Sequence, residues 1–381
     1  MEENQEDVQQ YTDDKPVHVS SVQTGDLELK ANPKDHKDDT TITISIADLN
    51  ASEPMLQPDI NRFSLFPIKR HDLWQAYKDH EKAHWLAEDL DYTADKIEWK
   101  QLSKDEQYFI EHILAFFNGS DRIVMENISK NFAAEIQWPE ALAFYSFQNY
   151  IEQIHSQVYS TLIDTYIEDS KRKDELFRAI ETIPCVKRKA EWAMKWMNPE
   201  TATFAERLVA FAVVEGVFFS GSFCAIFWLK SRGIMVSGLG KSNEYISRDE
   251  GLHCLFAIML YNHLNNKLTK ERIWDIFKEA VEIETQFINE SIPCKLIGMN
   301  SSLMARYIKF VSNHWMHQLT SSSGRKCPKL YTVKNPFSFM DGLGLDGKTN
   351  FFEQRTTEYA RSSGVSHEQT SQTFMNLDDD F

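Results

Sequence analysis

Glu152-Gln153-Ile154-His155 and Glu250-Gly251-Leu252-His253 repeat one pattern, Glu-x-x-His, and each sits inside a long run of helically spaced apolar residues. On an α-helix, residues i and i+3 share a face, so each copy aims a carboxylate and an imidazole at one point. One such pair says little, because an acid and a histidine on a helix are most often solvated or hydrogen-bonded. The second copy, with a lone acid in each of two further apolar runs (Asp121 and Glu215), is far more specific. Asp, Glu-x-x-His, Glu and Glu-x-x-His from four helices make up the side-chain set with which a helical bundle holds two metal ions.

Carboxylate and neutral imidazole together suit iron or manganese, and a carboxylate can bridge two ions, whereas zinc more often recruits thiolates. Six protein ligands also leave coordination positions open, as a catalytic metal requires. Taken singly, each acid or histidine reads as an ordinary helix residue. That reading is weakest for Glu215, the only charge between Phe211 and Leu229, since a buried unpaired carboxylate costs several kcal/mol. Tyr159 lies four residues after His155, one turn along the same face. By itself it reads as a core tyrosine, but it is placed to contact a metal-bound oxidant. Phe219 and Phe223, four and eight residues after Glu215, and Ile246, four before Glu250, are expected to line the same interior as a dry apolar wall.

Runs with helical periodicity extend from about His71 to Ala87, Ser103 to Phe132, Trp138 to Ile167, Asp174 to Trp196, Ala202 to Leu229, Ser242 to Asn265, Thr269 to Ile288 and Ser301 to Gln318. Ser103 followed by Glu106 is a capping-box signature, Pro139 marks a helix start and Arg232-Gly233 a helix end. Strand signals are almost absent, so the expected fold is all-α: a ferritin-like helical bundle with a buried dinuclear metal site, spanning residues 61–340. Residues 1–60, polar and acidic, read as a mostly disordered arm in which Thr41 to Ile46 alternates like a short strand. Residues 341–381 read as a flexible tail ending in Leu377-Asp378-Asp379-Asp380-Phe381. Within it, Gly342 to Gly347 spells the dinucleotide fingerprint, but it follows no strand and is read as a chance match in a loop.

At 381 residues with 42% hydrophobic content, the chain can bury a substantial core. A net charge of -16, with no obvious Lys/Arg cluster, argues against nucleic acid as a direct partner. The five cysteines (Cys185, Cys224, Cys254, Cys294 and Cys327) are scattered and lack a C-x-x-C. They fit a reducing, intracellular compartment better than a disulfide framework or a zinc-thiolate site. The acidic N-terminus does not read as an export signal. The apolar stretch from Phe211 to Leu229 is close to membrane-spanning length, yet its internal acid and the absence of a second such span favour a helix enclosed by protein, with no membrane partner.

These residues resemble the small, radical-generating subunit of class I ribonucleotide reductase, of the eukaryotic type also found in some large DNA viruses. The similarity runs from about Arg62 to the C-terminus. It is carried by Phe66-Pro67-Ile68, by Glu152 to His155 with Tyr159, and by Val214-Glu215-Gly216 followed by Phe218-Phe219-Ser220-Gly221-Ser222-Phe223. Ser247-Arg248-Asp249-Glu250-Gly251-Leu252-His253 and Gly347-Lys348-Thr349-Asn350-Phe351-Phe352-Glu353 add to it. The resemblance implies an oxo-bridged pair of iron ions per chain, manganese being less favoured, held by Asp121, Glu152, His155, Glu215, Glu250 and His253. It implies that molecular oxygen and an electron donor assemble a stable tyrosyl radical on Tyr159. The radical would pass through His155, Asp249 and Trp85, with Tyr359 in the tail, to a large catalytic subunit that reduces ribonucleotides to deoxyribonucleotides for DNA synthesis. Leu377, Asp378, Asp379, Asp380 and Phe381 would dock on that subunit, and the small subunit would be a cytoplasmic homodimer, with a nuclear presence allowed. The ending departs from the usual Phe-Thr before Leu-Asp, reading Phe374-Met375-Asn376-Leu377, and Ser321 to Lys329 departs as well.

Three other readings share parts of this pattern. A di-iron oxidase acting on an organic substrate would not need Trp85, Tyr359 and an acidic docking tail. An iron-storage protein would not need two complete Glu-x-x-His pairs beside a tyrosine. An inactive paralogue would be expected to lack ligands, and every expected ligand is present.

Overall fold

The computed structural model describes residues 45–291, 299–321 and 329–340. In chain order its α-helices are α1 (Ile46–Ala51), α2 (His71–Lys82), α3 (Thr93–Trp99), α4 (Lys104–Asn127), α5 (Ala133–Glu135), α6 (Pro139–Tyr166), α7 (Ser170–Phe177), α8 (Ala179–Thr182), α9 (Pro184–Lys195), α10 (Phe204–Val213), α11 (Ser220–Ser231), α12 (Leu239–Asn262), α13 (Lys270–Ser291) and α14 (Ser301–Ser321). No β-strand occurs among the described residues, and the all-α bundle is as the sequence implies. Helix α4 packs on α6, α6 on α2, α10 on α12, and α13 on α14, which leaves α4, α6, α12 and the α10–α11 stretch around one interior.

Local chemistry sets the helix limits. Ser103 opens α4 with a reciprocal cap: its backbone N–H donates to Glu106 Oε2 at 2.9 Å and its Oγ accepts from the Glu106 N–H at 3.2 Å. Thr203 and Glu206 do the same for α10. Pro139 is the first residue of α6, where its missing N–H costs nothing. The run expected from Asp174 to Trp196 is broken at Arg178, between α7 and α8, and again between α8 and α9, where Pro184 holds Ile183 in an extended conformation. The run expected to continue to Ala87 stops at Lys82, so that Trp85 lies in the following loop.

Two stretches widen from α-helix into π-helix, Ile128–Phe132 after α4 and Val214–Phe218 between α10 and α11. The second contains Glu215. A π-turn leaves carbonyls out of register with the helix, and here buried donors meet them. Trp315 Nε1 donates to the Gly216 carbonyl at 2.9 Å, and Lys189 Nζ to the Phe218 carbonyl at 2.6 Å. Lys189 is itself buried and pairs with Glu284 at 2.6 Å, so its charge is matched. Phe204–Ser231 is long and apolar enough to cross a membrane, but its most apolar window lies wholly inside the protein.

One domain boundary is corrected. The arm was expected to reach residue 60, yet Ile46–Ala51 is helical and Pro54–Leu56 forms a 3-10 turn with Met55 fully buried. The Glu53 carboxylate accepts from the backbone N–H groups of Asn265 and Asn266 at 2.7 and 2.8 Å, and Asn50 Oδ1 accepts from that of Phe204 at 2.9 Å. Polarity misled the sequence reading, because these polar side chains accept from backbone N–H groups at the start of α10 and in the loop after α12. Of the strand expected from Thr41 to Ile46, only Ser45 and Ile46 lie within the described residues, and Ile46 begins a helix. The tail 341–381, most of Ser321 to Lys329, Cys294 and Cys327 lie outside them.

A side chain at Gly216 has no room: its Cβ would fall 2.5 Å from Trp315 Nε1 and 2.8 Å from Cys254 Sγ. Gly216→Ala is therefore expected to lower stability by about 1–3 kcal/mol, read as a shift in the urea midpoint of the metal-free protein. An unshifted midpoint would show that the turn does not depend on this close approach.

Candidate metal centre

Helix α4 supplies Asp121, α6 supplies Glu152, His155 and Tyr159, the π-turn supplies Glu215, and α12 supplies Asp249, Glu250 and His253. Ligand atoms of Glu152, Glu215, Glu250 and His253 lie within 4.8 Å of one another, as do those of Asp121, Glu152 and His155. The six side chains converge, and Glu152 belongs to both groups. The two imidazoles present the same atom to the carboxylates. His253 Nδ1 is 3.0 Å from Glu152 Oε1 and 3.0 Å from Glu250 Oε2, while His155 Nδ1 is 3.4 Å from Glu152 Oε2 and 3.1 Å from Glu250 Oε1. Glu152 and Glu250 each reach toward both histidines, as a carboxylate bridging two ions must.

All six are at most 2% exposed. Burial, and next the charge of Glu152, holds Asp121 well above the ordinary carboxylate range; burial, and then Glu250, does the same for Glu215. For His253 burial works the other way, but the carboxylates of Glu152 and Glu250 outweigh it and bring the imidazole up to about 9. His155, also opposed by burial, is raised well above its usual value by Asp249, Glu152 and Glu250. The metal-free cluster thus favours protons on Asp121, Glu215 and both imidazoles. Yet Asp121 Oδ2, both Glu152 oxygens, His155 Nδ1 and Glu215 Oε2 have no aligned hydrogen bond. Buried polar atoms left so, on oxygen and imidazole donors, fit a pair of cations of the iron or manganese type.

Phe219, Phe223 and Ile246, expected to line this interior, are all buried. Phe117, which the sequence reading missed, joins Phe219 and Phe223 to the phenol. Its ring lies parallel to Tyr159, centroids 4.5 Å apart and planes 8° apart, and it also packs on Phe223 at 5.0 Å and Phe219 at 5.7 Å. Its position four residues before Asp121 on α4 was the available signal. The Tyr159 hydroxyl is buried without an aligned partner, and burial, then Asp121, raises it well above the usual phenol value. Trp85 Nε1 donates to Asp249 Oδ2 at 2.7 Å, and His155 Nε2 lies 3.2 Å from the same oxygen. Arg248, also missed, donates to the other oxygen, Oδ1, at 3.1 Å and to the Ala83 carbonyl at 2.6 Å, tying the Trp85 loop to α12. Burial would raise Asp249, but the Arg248 charge and His155 hold it below the ordinary range. Tyr359 and Leu377 to Phe381 lie outside the described residues.

An all-α bundle that closes over four carboxylates and two imidazoles in two overlapping groups is a ferritin-like protein with a site suited to two metal ions. Residues 62–336 match the family described as "Ribonucleotide reductase, small chain". The chain is 52% identical over 330 residues to the "Ribonucleoside-diphosphate reductase small chain" of Spisula solidissima, covering 86% of this chain and 84% of that one. It is 51% identical over 329 residues to the protein of the same description from Vaccinia virus (strain Ankara), covering 86% and 100%. The solved ribonucleotide reductase Rnr4 homodimer from Saccharomyces cerevisiae is 35% identical with a TM-score of 0.70, covering 77% of this chain and 91% of that one. The chain belongs to the ribonucleotide reductase small-chain family, and its enzyme class is oxidoreductase.

The elevated histidine sets a pH dependence for the metal-free protein. Since folding raises His253 from 6.5 to about 9, its stabilising contribution is complete below about 6.5 and is lost as pH rises through about 9. Urea unfolding of the apoprotein is expected to show midpoints falling from pH 6.5 to 9, with a smaller fall in His253→Gln; identical slopes in the two proteins would contradict the assignment.

Proposed function

We propose that the chain holds a di-iron centre on Asp121, Glu152, His155, Glu215, Glu250 and His253, generates a tyrosyl radical on Tyr159, and passes it to the large catalytic subunit of a ribonucleoside-diphosphate reductase. Tyr159 carries the reading. It is a fully enclosed phenol one helical turn from a ligand histidine, with its hydroxyl unpaired and its ring against Phe117. When bound, the two irons would supply the reduction of molecular oxygen, with an external electron donor, and the one-electron oxidation of the phenol. Iron is favoured over manganese by the resemblance of the whole motif set.

The remaining work belongs to the protein. Phe117, Phe219, Phe223 and Ile246 keep water and mobile reductants from the ring. Asp249 joins His155 to Trp85 through one oxygen, so an electron leaving Trp85 is matched by a shift of its Nε1 proton toward Asp249 Oδ2. The Arg248 guanidinium on the opposite oxygen keeps that carboxylate ionised and available as acceptor. Beyond Trp85 the route would continue through Tyr359, and Leu377 to Phe381 would dock on the large subunit as a reversible peptide contact. A homodimer, the state named for the similar yeast structure, and a cytoplasmic location complete the proposal.

Apoprotein loaded with ferrous iron and exposed to oxygen is expected to give a tyrosyl signal by electron paramagnetic resonance. Tyr159→Phe should lose the signal while metal uptake is kept; a persistent signal would mean that another tyrosine is oxidised. Deleting Leu377 to Phe381 should abolish ribonucleotide reduction with the large subunit and leave radical yield intact, and retained turnover would remove the docking role.

A further inference from the structure

The two histidines of the centre turn Nδ1 inward and Nε2 outward, and what meets the two Nε2 atoms is different. His155 Nε2 faces an anion, Asp249 Oδ2, at 3.2 Å. His253 Nε2 faces a third imidazole, His80 Nε2, at 3.3 Å. His80 belongs to α2 and is fully buried, but it contributes no atom to either converging ligand group. Its ring packs on Phe144 at 5.1 Å and edge to face on Phe147 at 4.8 Å, and its Nδ1 has no aligned partner. A polar ring so enclosed, with one nitrogen directed at a ligand, requires an account.

Two imidazole nitrogens at hydrogen-bond distance hold one hydrogen between them, because two N–H groups or two lone pairs would repel. A histidine that gives its Nδ1 lone pair to a cation carries its remaining proton on Nε2. The hydrogen bond then has one direction: His253 donates, His80 accepts, and His80 keeps its own proton on Nδ1.

We propose that His80 is a positioning residue for His253, the neutral acceptor that fixes its ring and its Nδ1-coordinating tautomer and thereby makes the two halves of the centre unequal. The inference rests on the dinuclear reading of the site. An ionised carboxylate draws on an N–H more strongly than a neutral imidazole does, so His155 becomes the more electron-rich donor and His253 the less. On that difference, the cation held by Glu152, Glu215, Glu250 and His253 is the more weakly bound of the two and the second to load.

The test is titration of the apoprotein with Mn(II), with the free ion followed by electron paramagnetic resonance and folding checked by thermal unfolding. Wild type should show two unequal steps. His80→Leu should weaken the second by about 10- to 100-fold and leave the first unchanged. His80→Gln, whose side-chain carbonyl can accept the same hydrogen bond, should restore most of the loss. A folded His80→Leu with both steps as in wild type, or a folded His80→Gln as weak as His80→Leu, would overturn the proposal. Failure of wild type to take up two ions would instead remove the dinuclear reading beneath it. A measurement without substitution is nitrogen NMR of histidine-labelled, zinc-loaded protein, in which His80 Nε2 should resonate as an unprotonated acceptor; a proton on that atom would also overturn the assignment.

Discussion

Four carboxylates and two imidazoles share one dry interior, and the electrostatic cost of placing them there constrains the rest of the structure. An ionised carboxylate taken out of water loses several kcal/mol even after its surroundings relax, and like charges a few ångströms apart add to that. Only the imidazoles oppose the charge from within, which is why burial and neighbouring acids keep Asp121 and Glu215 above their ordinary range while the histidines are driven up. Two divalent cations would match four ionised carboxylates charge for charge and would satisfy the oxygens that no hydrogen bond reaches. A protein that keeps such a cluster has a reason to bind metal before any chemistry is considered.

The backbone is shaped to the same requirement. The π-turn moves Glu215 off the face a regular helix would give it, and the carbonyls so displaced are taken up by Trp315 from one side and Lys189 from another. Lys189 can do this because Glu284 neutralises it, so the brace brings no net charge toward the centre. On the opposite wall, Arg248 fixes both Asp249 and the loop of Trp85, making one interaction serve an anion and a backbone turn together.

Much of this was legible in the sequence because helical periodicity is a strong signal and the ligand spacing follows from it. The two Glu-x-x-His pairs, Tyr159, Phe219, Phe223 and Ile246 come from counting along a face, and Asp121 and Glu215 from being lone acids in apolar runs; the structure brings the six acids and histidines together. What escaped was set by contacts between elements. Phe117 and Arg248 stand next to recognised residues, but their partners come from other helices. His80 falls seven residues after buried Leu73, on the inward face of α2, yet nothing in its own neighbourhood names His253 as its partner. The π-turn left no periodic trace in an almost uniformly apolar run, and the break at Pro184 was passed over because apolar spacing resumes on both sides. Polarity proved the least reliable guide: it assigned residues 46–56 to a solvated arm.

That short segment bears on how the chain tolerates trimming. Asn50 and Glu53 are the acceptors for three buried or half-buried backbone N–H groups, at the start of α10 and in the loop that follows α12. A protease cut just upstream of Ile46 would spare these contacts, whereas one at residue 60 would sever the acceptors from the body and leave these N–H groups to find water. Residues 46–56 thus act as a clasp on which the start of α10 and the loop after α12 rely.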